Sequence, residues 1–258
     1  MPFSNSFSFI SCSFPSALIP GTGIGKFQLY DAAGRHLFSG RNALGRYPNP
    51  VSIAAVPGAA WARKLFPGLS KNQAIEKLWE AILQTARVDD DPIAAWEAHN
   101  REVHERCDYL NSLGIKELHY TSSTGTDFTV GMIPQGEFRG GSDTSLTGHT
   151  FNPNIPSEEA FISPMKGEAE GIVYSSKPLS YRGELITNFS VRFEGGKAVE
   201  VHAEKGEELL KKMISMDEGA AYLGECALVP QASPICESGI LFYNTLFDEN
   251  ASCHLALG

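Results

Sequence analysis

What this 258-residue sequence lacks narrows it quickly. No apolar run approaches the ~18–20 residues of a bilayer-crossing helix, so no helical membrane span is expected. Positive charge is scarce: 21 Lys and Arg against 30 Asp and Glu leave a net charge of −9, the wrong sign for a nucleic-acid or anionic-membrane partner. Cysteines are few. Cys12, Cys107, Cys226, Cys236 and Cys253 are odd in number, scattered and never in C-x-x-C spacing. That argues against a disulfide framework or a thiolate zinc site, and for free thiols in a reducing compartment. HEXXH is absent, and so is any repeat of about 20–50 residues. The Ser- and Phe-rich N-terminus has no basic region before a clean apolar stretch, so no signal peptide is read there and a cytoplasmic location is expected. GTGIGK at 21–26 is not a phosphate-binding loop, because position 20 is Pro and Lys26 is followed by Phe27; a flexible turn is the better reading.

What is present reads as an ordinary globular chain, with 42% hydrophobic and 20% charged residues. Residues 1–50 form a separate compositional zone. VSIAAVP from Val51 is a short apolar run ended by Pro57, expected as a strand. AAWARKLFPG follows as a short helix. Ser70 with Gln73 predicts a capping box, and Ala74, Ile75, Leu78, Trp79, Ile82 and Leu83 trace the apolar stripe of the helix it opens. Asp91-Pro92 predicts the start of a second long helix, over about 92–113, with His99 and His104 on a solvated, charge-paired face. IKELHYTS and TDFTVGM read as strands, with His119 packed. A Gly-rich loop over 139–154 carries His149 as a candidate substrate contact. Residues 168–205 read as a three-stranded meander with Gly195-Gly196 as its hairpin turn. GEELLKKMI is a helix, and Asp217 is expected to cap another that ends near Gly224.

Several carboxylates stand at element ends beside Gly or Pro. Glu158 and Glu159 precede the apolar AFI run, Glu225 opens the CALVP strand, and Glu249 and His254 flank the turn DENASC. Carboxylate oxygens with one imidazole suit Zn²⁺, Co²⁺ or Mn²⁺ if the chain brings them together. On residue chemistry alone they also fit solvated surface acids, or a carboxylate-pair hydrolase working without metal; neighbouring residues of a strand point to opposite faces, which counts against Glu158 and Glu159 as that pair.

The strings NIPSEEAF, KPLSYRGELI, DEGAAYLGECALVP and FYNTLFDENASCHLALG, with IAAVPGAAWARKLFPG and LWEAILQTARVDDDPIAAWEAH upstream, resemble the M29 metallopeptidases, the family of thermophilic aminopeptidases T and S. The resemblance runs from about Ser52 to Gly258. It implies an aminopeptidase that removes N-terminal residues from peptides with water activated by two divalent ions, Zn²⁺, Co²⁺ or Mn²⁺, and it implies a homodimer. Carried over by motif, Glu159, Glu225, Glu249 and His254 match metal-site positions, with Glu225 as the bridging carboxylate. Glu158 replaces a Gly found in many members and is the one candidate catalytic residue outside that set; the motifs assign no general acid or base. The family pattern continues beyond HLALG through a Tyr and a His-x-Asp pair, which leads us to expect a site short of part of its ligand set, with activity weakened or lost. A catalytically inactive fragment that acts as an interaction or oligomerisation protein is the alternative.

The architecture expected is mixed α/β. A partial N-terminal α/β domain covers 51–114, the remnant of a larger one. A strand-rich α+β metal-binding catalytic domain, incomplete at its C-terminal end, covers 115–258. Residues 1–50 are set aside as a segment outside the family or poorly ordered.

Overall fold

The computed structural model describes the backbone of residues 7–10 and residues 49–258 apart from Asp89. The turn expected at GTGIGK lies outside the described residues. In chain order the elements are β1 (Phe7–Ile10), β2 (Ile53–Ala54), α1 (Ala59–Leu65), α2 (Lys71–Thr85), α3 (Pro92–Ser112), β3 (Glu117–Thr121), β4 (Asp127–Met132), β5 (Asp143–Thr144), β6 (Thr150–Phe151), β7 (Asn154–Ile155), β8 (Ala160–Ile162), β9 (Pro164–Tyr174), β10 (Leu179–Tyr181), β11 (Glu184–Glu194), β12 (Lys197–Lys205), α4 (Glu207–Ile214), β13 (Leu223–Leu228), α5 (Pro234–Glu237), α6 (Thr245–Asp248) and β14 (Cys253–Leu257). A single 3₁₀ turn, Glu249–Ala251, joins α6 to the residues before β14. The fold is mixed helix and sheet, as the sequence predicts.

Local signals explain most boundaries. Ser70 and Gln73 form the reciprocal capping box at the start of α2. The Asp91 carboxylate accepts from the Ala94 N–H at 3.1 Å, with Pro92 as the first residue of α3. Gly195 and Gly196 both take positive φ, 56° and 79°, as the tight β11–β12 hairpin requires. The helix expected after Asp217 does not form. Its carboxylate accepts from the N–H groups of Gly219 and Ala220, a local turn that competes with a helix, and the chain enters β13 at Leu223. The VSIAAVP strand shrinks to Ile53–Ala54, paired in parallel with Asn154–Ile155.

Two sheets and two apolar clusters build the body. The larger sheet runs β10–β11–β9–β4–β3, with β12 also on β11. The smaller runs β1–β14–β13–β8, antiparallel except for the parallel β1–β14 pair. Side chains from both sheets, with Val103, Cys107 and Leu110 of α3, share one core. A second cluster joins Trp61, Leu78 and Ile82 to Ile235, Phe242 and Phe247; the Trp61 indole N–H donates to the Phe242 carbonyl at 2.5 Å. The segment leading into β14 therefore rests on α1 and α2. Cys107, Cys226, Cys236 and Cys253 are free thiols. No helix among the described residues is long and apolar enough to cross a membrane.

Candidate metal centre

Strand register places three side chains on one face of the smaller sheet. His254 stands opposite Ala227, and Ala227 opposite Phe161. Directly opposed residues in antiparallel strands share a face, as do residues two apart along a strand. Glu225 is two residues from Ala227, and Glu159 two from Phe161, so Glu159, Glu225 and His254 face the same way. One ligand atom from each lies within 4.8 Å of the others. His254 Nε2 is 2.9 Å from Glu159 Oε2 and 3.4 Å from Glu225 Oε1.

Those atoms are close without being properly bonded. The His254 Nε2 direction does not meet the Glu159 oxygen, and both atoms are buried with no hydrogen-bond partner. Nδ1 faces the Ser252 carbonyl at 3.2 Å and donates to it, so Nε2 is the ring nitrogen turned to the cluster, free to ligate once a cation displaces its proton. A buried imidazole nitrogen and carboxylate oxygen turned toward a common point beside a second carboxylate fit a divalent cation.

The electrostatics describe a site strained by its own charge. Burial pushes the Glu159 carboxyl up, against the pull of His254. Burial, reinforced by Glu159, pushes half-buried Glu249 up to about 8. His254 is held well above its usual range: burial acts to lower it, but Glu159, Glu225 and Glu249 outweigh that. Glu249 thus bears on the cluster by its charge, although the three-residue convergence does not include it.

Glu158 turns elsewhere. Its carboxylate takes both guanidinium nitrogens of Arg87, the Nη2–Oε2 bond being 2.8 Å, and His99 Nε2 lies 3.9 Å from it. His99 itself is only 4% exposed and bonds to the Ser157 carbonyl at 2.7 Å, so it is a core residue and not part of the solvated face expected for it. Burial lowers its pKa. His119 reverses the other way, standing exposed against Asp127 at 2.7 Å. His149 is exposed beside Thr147.

The cluster opens into a cleft of about 370 Å³, lined by Glu159 and Glu225 with His104, Asp108, Phe138, Arg139 and Asp143. Asp108 and Arg139 carry no motif of their own; Asp108 reaches the cleft from α3, and Arg139 because its backbone pairs with Phe161 along β8. Arg139 and Phe161 exchange both backbone hydrogen bonds, at 2.9 and 2.8 Å. This contact explains Gly140, where a Cβ would stand 2.1 Å from the Glu159 carbonyl oxygen and 2.9 Å from Val103 Cγ1. Gly140→Ala is therefore expected to cost about 1–3 kcal/mol in urea unfolding. Gly68→Ala, with nothing within 4 Å, should be close to neutral.

Comparison with known proteins gives the geometry a context. The sequence model of a family described as thermophilic metalloprotease (M29) matches residues 26–258, starting upstream of Ser52. Aminopeptidase T of Thermus aquaticus is 43% identical over 96% of this chain and 61% of its own length. Aminopeptidase AmpS of Bacillus subtilis (strain 168) is 46% identical over 88% of this chain and 55% of its own length. The chain thus spans roughly three-fifths or less of these relatives. The solved structure of wild-type AmpT from Thermus thermophilus superposes with a TM-score of 0.73 at 47% identity, covering 78% of this chain and 49% of that one.

Proposed function

This chain belongs to the thermophilic metalloprotease (M29) family, and from that premise we propose that it is a metal-dependent aminopeptidase acting on peptides. The observation that carries the reading is the convergence of Glu159, Glu225 and His254, with two buried ligand atoms lacking hydrogen-bond partners. In it, Glu159, Glu225, Glu249 and His254 hold the divalent cations, Zn²⁺, Co²⁺ or Mn²⁺. Three of them suit one ion, and Glu249 is the further carboxylate available to a second. When bound, such ions supply a water with its pKa lowered towards ~7.

The chain's own residues do the rest. His254 is oriented by its Nδ1 contact to Ser252, so that Nε2 stays aimed into the cluster. Glu159 and Glu225 line the cleft, and Asp108, Glu137 and Asp143 on its wall supply negative charge that favours substrates with a free, protonated N-terminus. Phe161 and Phe138 give the same cleft apolar wall for a side chain. Glu158 is paired to Arg87 and takes no part in the reaction in this reading. Free thiols support a location in the reducing cytoplasm. The homodimer implied by the family is read out by sedimentation.

The test uses the whole chain, stripped with a chelator and titrated with Co²⁺ while visible absorption is followed. Ligand-field bands that saturate at a fixed ratio are expected, together with hydrolysis of leucine p-nitroanilide that chelator abolishes and Co²⁺ or Zn²⁺ restores. Folded protein that takes up no Co²⁺ would overturn the reading and favour an interaction role.

A further inference from the structure

Glu159, Glu225 and the pair Glu249/His254 come from three separate segments, and the sheet that ties Glu225 and His254 to the strand after Glu159 does not reach Glu249. Glu159 lies one residue before β8, and Glu249 sits in the 3₁₀ turn, outside any strand. One side chain crosses between them. Asn250 is fully buried, and its Oδ1 accepts the N–H of Glu158, the residue preceding Glu159, at 2.7 Å. Its Nδ2 donates to the Leu246 carbonyl at 3.1 Å, which closes the turn that carries Glu249. Its own carbonyl accepts from the Ser233 hydroxyl at 2.6 Å, five residues beyond the end of β13, the strand of Glu225. Asn250 is thus bonded to all three segments.

We propose that Asn250 is a positioning residue for the metal centre, setting the distance between the Glu159 and Glu249 segments through its bond to the Glu158 amide. The inference rests on the metal reading above. A side-chain amide is well matched to this role, because it offers an acceptor to one segment and a donor to the other and adds no charge to a site already crowded with carboxylates. Outer partners of this kind typically control metal affinity by about 10–100-fold.

Asn250→Ala is expected to weaken Co²⁺ binding at least about tenfold. Leu78→Ala, in the apolar cluster that supports the same region, lowers the melting temperature without touching the brace and should leave Co²⁺ affinity within about twofold. The second readout needs no metal. Amide hydrogen exchange at Glu158 should accelerate at least about tenfold in Asn250→Ala and stay protected in Leu78→Ala. If Asn250→Ala does not fold, Ser233→Ala, which removes the hydroxyl side of the brace along with the Ile235 N–H cap of α5, is read in the same two ways with smaller losses. Unchanged Co²⁺ affinity in a folded brace variant, or equal losses in the brace variant and Leu78→Ala, overturns the proposal. If the parent takes up no Co²⁺, the metal reading falls by itself, and the brace stands or falls on the Glu158 exchange rate.

Discussion

Replacing Arg87 with alanine is expected to cost about 3–5 kcal/mol of folding stability at neutral pH, the largest single loss outside the apolar core. The Glu158 side chain is about 2% exposed, and Arg87 supplies both hydrogen bonds to its carboxylate. Without the guanidinium, the buried carboxylate keeps no side-chain hydrogen bond: the His99 ring stands at 3.9 Å with burial favouring its neutral form. Arg106 acts on the carboxylate by charge, but its Nη1 donates to the Glu158 backbone carbonyl and does not replace the lost hydrogen bonds.

The backbone at Arg87 supports this reading. It has φ of 54° at the end of α2, where the Val88 N–H reaches the Leu83 carbonyl and the Arg87 N–H the Gln84 carbonyl. This is a Schellman ending, and its left-handed position usually falls to glycine. An arginine there bears a cost of about 1 kcal/mol, tolerated because the side chain is needed by Glu158. Arg87→Gly should therefore lose about 1 kcal/mol less than Arg87→Ala while stripping Glu158 equally. The double variant Arg87→Met/Glu158→Leu removes both charges and is expected to return within about 1–2 kcal/mol of the parent. Urea unfolding of the four proteins checks this; a loss under about 1 kcal/mol in Arg87→Ala would falsify the view of Glu158 as a charge that depends on its clamp.

The Arg87–Glu158 pair also shows which parts of the molecule were legible in the sequence. Features whose partners lie within a few residues were readable. The Ser70–Gln73 box, the Asp91-Pro92 helix start and the Gly195-Gly196 hairpin stand where the local pattern puts them. Asp217 shows the limit even there, because the same side chain that caps helices also closes turns, and nothing local decides between them. Polar groups with distant partners were not readable. His99 lies on a helix crowded with acids, and only Ser157, 58 residues away, reveals that its face is buried. Glu158 and Asn250 meet across 92 residues. Helices α5 and α6 have four residues each, capped by Ser233 and Asn244, and are too short for a periodic pattern to register. The candidate ligands were found by motif, but a motif cannot say that Glu159 and Glu158 part company. The register of β8 against β13 does, by sending the first into the cleft and the second to Arg87.

Glu249 offers the sharpest separation between a site built for cations and an accidental cluster of acids. Its carboxyl is held up to about 8 by burial first and by Glu159 second, against an ordinary value near 4.5 in the unfolded chain. Between those two values the folded protein binds more protons than the unfolded one, so Glu249 withdraws stability as pH rises across that window. Glu249→Gln is therefore expected to stabilise the metal-free protein. The gain should be absent below about pH 4.5, grow as pH rises, and level off above about pH 8 at up to about 5 kcal/mol. Taking the difference between variant and parent at each pH cancels the titration of distant groups. Co²⁺ should reverse the sign. With a cation among Glu159, Glu225 and His254, the Glu249 charge becomes attractive, and removing it weakens metal binding and the stability linked to it. Urea unfolding from pH 4 to 9, with chelator and then with saturating Co²⁺, reads both limbs. A gain that is the same with and without Co²⁺ would mean that Glu249 has no electrostatic bond to a metal. No gain at pH 8 in chelator would mean that the cluster carries no strain for a metal to relieve.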